Sequence, residues 1–326
     1  MITRRQLALG TAALATASGA ARAQTFPDRP VRMVVAFPPG GNVDFSARLI
    51  QPGMTQALGQ QLIVENRPGA GGVVGTESVA RARPDGTTIL ITGTAPVSIF
   101  PGIMAHLPYD PLKDLAPIGM MYRVPVVLMV KKDLPARTLA EFVALSKSTR
   151  GGLSIGTAGI GSGAHLAMEL FNAGSGAGLV HVPYRGTGPA LNDLIAGTIP
   201  AVFDQLSSAL QLHRDGRARI IGIASAARSP LVPDVQTFRE AGILEPEIST
   251  TIGLLAPAGT PPQAIGKLRD ALVAAMSDPT VRDRLLSLGA VIPPAAEVTP
   301  AAYGAIVREE TEINLRAARL GNVKLE

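Results

Sequence analysis

Two stretches of the chain have residue types and spacing suited to holding an anion. The first is Pro38-Pro39-Gly40-Gly41-Asn42-Val43-Asp44, which follows an apolar run at residues 31–37 and precedes a helical pattern. Consecutive glycines permit positive φ and let a ligand approach the backbone closely. The first turn of the helix would add unpaired N–H groups and the positive end of its dipole. Asp44 is placed to cap that helix. Taken alone, this reads more simply as a glycine turn with no ligand. A second stretch of the same type changes the balance: Gly156-Thr157-Ala158-Gly159-Ile160-Gly161-Ser162-Gly163-Ala164-His165 again leads from a strand through a glycine- and hydroxyl-rich loop into a helix. Ser162 can cap this helix and also donate to an anion. Two such cups facing one another would suit a small carboxylate with two charged ends.

Other chemistry is less well supported by the residues. Gly159, Gly161 and Ala164 fit a G-x-G-x-x-A dinucleotide pattern, but the strand that should end in an acidic ribose ligand ends His181-Val182-Pro183-Tyr184-Arg185. A hydrolase using Ser162 and His165 lacks the G-x-S-x-G frame, because Ile160 stands at the first glycine position. His165 is better placed to hold its loop by a hydrogen bond than to act as a base. His165 and Glu169 are spaced i, i+4, yet a metal site needs three or four ligands and the other histidines lack that spacing. No metal and no cofactor are expected. Asp204, after a short strand, can orient a polar ligand group or serve a turn. Thr94 and Ala95 follow another strand and are candidates for the rim.

The elements needed to position these loops are legible in the pattern. Short apolar runs at 31–37, 61–65, 88–92, 125–130, 153–157, 180–183, 201–203, 219–224 and 252–256 read as strands, and helical patterns separate most of them. That alternation predicts an α/β fold with a mixed, mostly parallel sheet flanked by helices. Apolar spacing predicts helices over 261–276 and 300–320. Pro52 predicts a bend or a late start in the helix expected after Asp44. Pro/Gly-rich joints fall near 107–117 and 229–247. The expected division is a leader at 1–23, one domain from 24–124 with 231–326, and a second domain at 125–230 inserted into it, so that two crossings form a hinge.

At 326 residues the chain has room for two domains. With 46% hydrophobic and 17% charged residues it is not a disordered chain. The formal charge is +5, but setting aside Arg4, Arg5 and Arg22 leaves 27 basic against 25 acidic residues. That removes the case for a nucleic-acid partner, which needs a concentrated basic face. There is no cysteine, which excludes disulfide scaffolds, thiolate metal sites and a lipoprotein anchor. Residues 1–23 run from Arg4-Arg5 through an apolar stretch to Ala21-Arg22-Ala23, the pattern of a cleavable secretory signal with a twin-arginine-like start. Export to the periplasm is the expectation.

Several ordered motifs resemble those of one family. They are Phe26-Pro27-Asp28-Arg29-Pro30-Val31, Pro39-Gly40-Gly41-Asn42-Val43-Asp44, Val64-Glu65-Asn66-Arg67-Pro68-Gly69-Ala70-Gly71-Gly72, Gly161-Ser162-Gly163-Ala164-His165-Leu166 and His181-Val182-Pro183-Tyr184-Arg185-Gly186. The chain resembles the Bug, or TctC-like, proteins, extracytoplasmic binding proteins of tripartite tricarboxylate transporters. The resemblance implies a two-lobed periplasmic-binding-protein fold of type II and capture of a small mono- or dicarboxylate without catalysis. It implies delivery to membrane permease subunits, with the outer domain of a sensor kinase as the alternative partner. It places ligand contacts at Pro39, Gly40, Gly41, Asn42 and Asp44 in one lobe and at Gly159, Gly161, Ser162 and His165 in the other. Thr94, Ala95 and Asp204 complete the set. The chain departs from many relatives, which carry an aromatic residue where it has Thr250-Thr251-Ile252.

Overall fold

The computed structural model describes residues 26–243 and 248–325. The leader expected at 1–23 lies outside the described residues. Among those described, no helix is long and apolar enough to cross a membrane.

In chain order the strands and longer helices are β1 (Val31–Val35), α1 (Asn42–Leu58), β2 (Leu62–Asn66), α2 (Val73–Ala80), β3 (Thr88–Thr92), β4 (Leu115–Lys131), α3 (Leu139–Ser148), β5 (Ser154–Thr157) and α4 (Gly163–Ser175). They continue with β6 (Val180–Pro183), α5 (Thr187–Ala196), β7 (Ala201–Gln205), α6 (Leu206–Arg214), β8 (Ala218–Ile223), β9 (Ser249–Pro257), α7 (Pro262–Met276), α8 (Pro279–Ser287) and α9 (Pro300–Leu320). The sheet is mixed. β1 pairs in parallel with β2 and β3, and β5 pairs in parallel with β6 and β7. β9 runs antiparallel between β3 and β4.

β4 joins the two sets. Its first part pairs with β9, from Leu115 opposite Pro257 to Pro125 opposite Ser249. Its second part pairs with β7 on one side and β8 on the other. Seventeen residues of strand reach about 50 Å, long enough to cross both sets. The expected strand at 125–130 is therefore only the second part of this element. Its first ten residues carry Pro117 and Gly119, which disguise a strand as a joint, and the register shifts there and again between Met120 and Tyr122. Such irregularities let a strand accommodate residues that a regular ladder excludes.

The helix after the first loop begins at Asn42 and runs through Pro52 to Leu58. The expected late start is thus corrected: burial of Val43, Ala47, Ile50 and Met54 along one face outweighs the single backbone bond that Pro52 cannot make. In the second set of strands, Phe171 packs edge-on against Phe142, Phe203 and Phe238, at centroid distances of 6.4, 5.5 and 5.2 Å. Phe238 is brought there because its N–H donates to the Ile223 carbonyl at the end of β8, while the Ile223 N–H donates to Gln236.

Candidate functional site

The four strands β1, β5, β6 and β7 each lead at their carboxyl ends into a helix: α1, α4, α5 and α6. In open α/β sheets this is the edge at which ligands sit. No side chain caps α1, α5 or α6, so their first N–H groups are left to other partners, whereas Ser162 caps α4.

The loop before α1 is held from beneath. Gly40 has φ +83°, which only a glycine adopts without strain. Its N–H donates to the Asp44 carboxylate at 2.9 Å. The same carboxylate accepts from Asn66 Nδ2 at 2.9 Å and from Arg48 Nε at 3.1 Å. Burial alone would raise the Asp44 pKa, but the bonds from Arg48, Gly40 and Asn66 outweigh it and the carboxyl titrates below its ordinary range. Asp44 is therefore not the helix cap: Gly41 holds that position, and Asp44, only 3% exposed, fastens the loop instead. Pro39, Gly40 and Gly41 remain exposed at the surface of the loop, and Asn42 is half-buried.

The loop before α4 is built in a similar way with different groups. Gly161 has φ +74° and donates its N–H to His165 Nδ1 at 3.2 Å, so that nitrogen carries no proton. His165 Nε2 lies 3.3 Å from Glu169 Oε1. Ser162 Oγ accepts the His165 backbone N–H at 3.1 Å. Neither ring nitrogen is directed at the Ser162 hydroxyl, so the nucleophile–base bond that hydrolysis would need is not formed. The His165 ring stacks on His181 with centroids 3.8 Å apart and planes 12° off parallel. His181 Nε2 is 2.7 Å from Thr157 Oγ1, which also accepts the Gly159 N–H. Burial, reinforced by the neighbouring His165, lowers the His181 pKa to about 4.

Asp204 and Thr94 are also committed to the protein. Asp204 is 3% exposed and accepts from Thr187 Oγ1 at 3.1 Å and Ser208 Oγ at 2.6 Å, tying the starts of α5 and α6 together. Burial raises its pKa, partly offset by these bonds. Thr94 Oγ1 accepts the Thr251 N–H at 2.7 Å, and Ala95 begins the helical turn that follows. On its other side Thr251 donates through Oγ1 to Glu310, a carboxyl whose pKa burial pushes up to about 7.

Each loop meets residues that the sequence motifs did not single out as contacts: Gln205 for the first loop and Thr250 for the second. Asn42 Nδ2 reaches Gln205 Oε1, at the start of α6, at 3.5 Å. Asn42 is steadied from behind by the buried Tyr122 hydroxyl on β4, 3.2 Å from its Oδ1. Thr250, at the start of β9, lies between Gly93, at the end of β3, and Gly163, at the start of α4. Asn66 and His181 belonged to recognised motifs, but only the coordinates reveal that they brace the loops. Among the described residues no group of three His, Asp or Glu side chains is placed to hold a metal ion.

The sequence and the fold have close parallels among known proteins. Residues 46–297 match the profile of the tripartite tricarboxylate transporter family receptor, TctC. The chain belongs to this receptor family. Protein BugT of Bordetella pertussis is 37% identical over 280 residues, covering 85% of this chain and 86% of BugT. MatC from Rhodopseudomonas palustris, solved with bound malate, is 36% identical, with a TM-score of 0.78 over 90% of this chain and 99% of MatC. The periplasmic binding protein BugD is 34% identical, with the same TM-score over 92% of this chain and 100% of BugD. The fold is that of these TctC-type binding proteins, with the α/β architecture expected from the strand and helix pattern.

Proposed function

We propose that this receptor captures a small mono- or dicarboxylate in the periplasm, between two lobes, and delivers it to the membrane permease of a tripartite transporter. The lobes in this reading are the strand set around β1, β3 and β9 and the set around β5 and β7, with β4 shared. In this reading Phe238 goes with the second set, beyond the boundary expected at residue 230, because it is bonded to β8 and packs with Phe171 and Phe203.

The observation that carries the reading is the meeting of the α1 and α6 starts at Asn42 and Gln205, with Thr250 reaching the start of α4. Helix starts from both strand sets therefore border one region. The ligand would be held by backbone N–H groups of residues 41–43 on one side and of 163 and 164 on the other, the Ser162 N–H being spent on the Gly159 carbonyl, supplemented by Asn42 Nδ2 and the Ser162 hydroxyl. Asp44, His165, Thr94 and Asp204 would act from beneath, fixing the loops without supplying charge to the ligand. Charge-assisted N–H bonds to a carboxylate strengthen as closure removes water. The malate held by MatC supports the ligand class, and BugD supports the compartment.

The test is a thermal-unfolding screen of organic acids, with calorimetric titration of those that act. A ligand at about 100 times its dissociation constant should stabilise the protein by roughly 2.7 kcal/mol and raise Tm accordingly. A screen of mono- and dicarboxylates, amino acids and aromatic acids that leaves Tm unchanged would overturn the reading.

A further inference from the structure

The surroundings of Thr250 fix how it points. It is half-buried in the first turn-free residues of β9, in register with Val124 of β4. The next residue is clamped on both sides, its N–H on Thr94 Oγ1 and its hydroxyl on Glu310. Side chains alternate along a strand, so Thr251 faces α9 and Thr250 faces the opposite way, toward the loops.

The side chain of Thr250 lies beside two glycines. A Cβ placed on Gly93 would lie 3.8 Å from the Thr250 Cγ2 methyl, and one placed on Gly163 would lie 3.7 Å from its Oγ1. The methyl therefore packs on the end of β3, and the hydroxyl is presented to the first residue of α4. Threonine is stiff about χ1, so this presentation is maintained at little entropic cost. The hydroxyl has no protein partner among the described residues, while those of Thr94, Thr157, Thr187 and Thr251 all have one. A threonine hydroxyl can both donate and accept.

We propose that Thr250 is a specificity residue that reads a hydroxyl on the carbon next to the carboxylate received by the start of α4, so that the preferred ligand is a 2-hydroxy acid. This rests on the carboxylate-binding reading above and narrows it. A carboxylate on the α4 N–H groups brings its adjacent carbon beside Thr250 Oγ1. A hydroxyl there exchanges a hydrogen bond with Thr250; a methylene leaves Thr250 unpaired as the lobes close.

The experiment is calorimetric titration of wild type, Thr250→Val and Thr250→Ser with matched acids: malate against succinate, and lactate against propionate. Wild type should favour the hydroxylated member of a pair by about five- to tenfold, the usual worth of one neutral hydrogen bond. Thr250→Val, nearly the same shape, should bring that ratio close to one, and Thr250→Ser should restore it. Unliganded Tm, measured alongside, should differ little between the three proteins. A ratio that survives in Thr250→Val overturns the proposal. So does an equal loss for both members of a pair, because Thr250 would then hold the carboxylate itself. If the wild type binds none of these acids but binds others in the thermal screen, the 2-hydroxy specificity fails alone. If it binds no acid at all, the carboxylate reading has failed first.

Discussion

The loops before α1 and α4 solve one problem with opposite chemistry. In each, a glycine of positive φ donates its N–H to the side chain four residues on, and that side chain meets a charged partner a further four residues on. In the first loop the sequence of groups is Gly40, Asp44, Arg48. In the second it is Gly161, His165, Glu169. The acceptor is a carboxylate in one and an uncharged ring nitrogen in the other. The helix after the first loop has no side-chain cap, while Ser162 occupies that role in the second. A charged acceptor binds its donors more strongly than a neutral one, and in the second loop the carboxylate, Glu169, stands one step further from the glycine. The pair therefore shows that the same fastening can be built on a charged acceptor or on a neutral one.

The largest break in this comparison should come from Asp44→Ala. It strands the Gly40 N–H and Asn66 and leaves Arg48 without its partner, at a cost of about 2–3 kcal/mol in urea unfolding. Ligand affinity should fall at least tenfold by titration calorimetry, because the loop loses its fastening. Full stability in that variant would show that Gly40 is held by something else.

Acid should separate the two loops next. The His181 pKa is lowered in the folded state, to about 4 from 6.5, mainly by burial. The unfolded chain then takes up its proton first, so stability is complete above pH 6.5 and is lost as pH falls toward 4. Glu310 works in the other direction: raised to about 7 from 4.5, it contributes stability that is lost as pH rises through that window. Because Glu310 is present in both proteins, unfolding of wild type and His181→Gln at pH 7 and pH 5 isolates the histidine. Wild type should lose more on acidification than the variant, and parallel losses would refute the assignment.

Smaller effects come from exchanging the caps. Ser162→Ala should cost about 1 kcal/mol in unfolding, the usual worth of a lost helix cap. Gly41→Ser puts a cap where there is none. Its Cβ would meet only the Pro38 carbonyl, at an unstrained 3.6 Å. Stability should rise by a few tenths of a kcal/mol, while affinity falls severalfold as the serine oxygen takes an N–H meant for the ligand. Tighter binding by Gly41→Ser would mean that those N–H groups do not face the ligand.

Much of this design is local and so was legible in the sequence. The glycine loops, the strands that feed them and the helices at 261–276 and 300–320 are patterns within a few residues of one another, and His165 was read as the holder of its loop. What stayed hidden depends on long-range register. Tyr122 can reach Asn42 only because β4 begins at Leu115, in a segment whose prolines and glycine argue against a strand. Thr250 faces Gly163 only because β9 pairs with β4 at Val124. The hydrogen-bond partners of Asp44 and Asp204 are hidden in the sequence for a related reason. The donors that reach these carboxylates come from Asn66, Thr187 and Ser208, distant in the chain or across a turn.

The long shared strand also constrains how the gene may be rearranged. A cut inside β4 would leave its first part in one polypeptide and the β9 partner of that part in the other, while the second part stays with β7 and β8, so complementation from separately expressed halves should fail. Breaks at the solvent-facing end of a helix, such as the turn after Met276, interrupt no ladder and leave the sheet whole. Fluorescent or affinity inserts meant to report on ligand capture belong there.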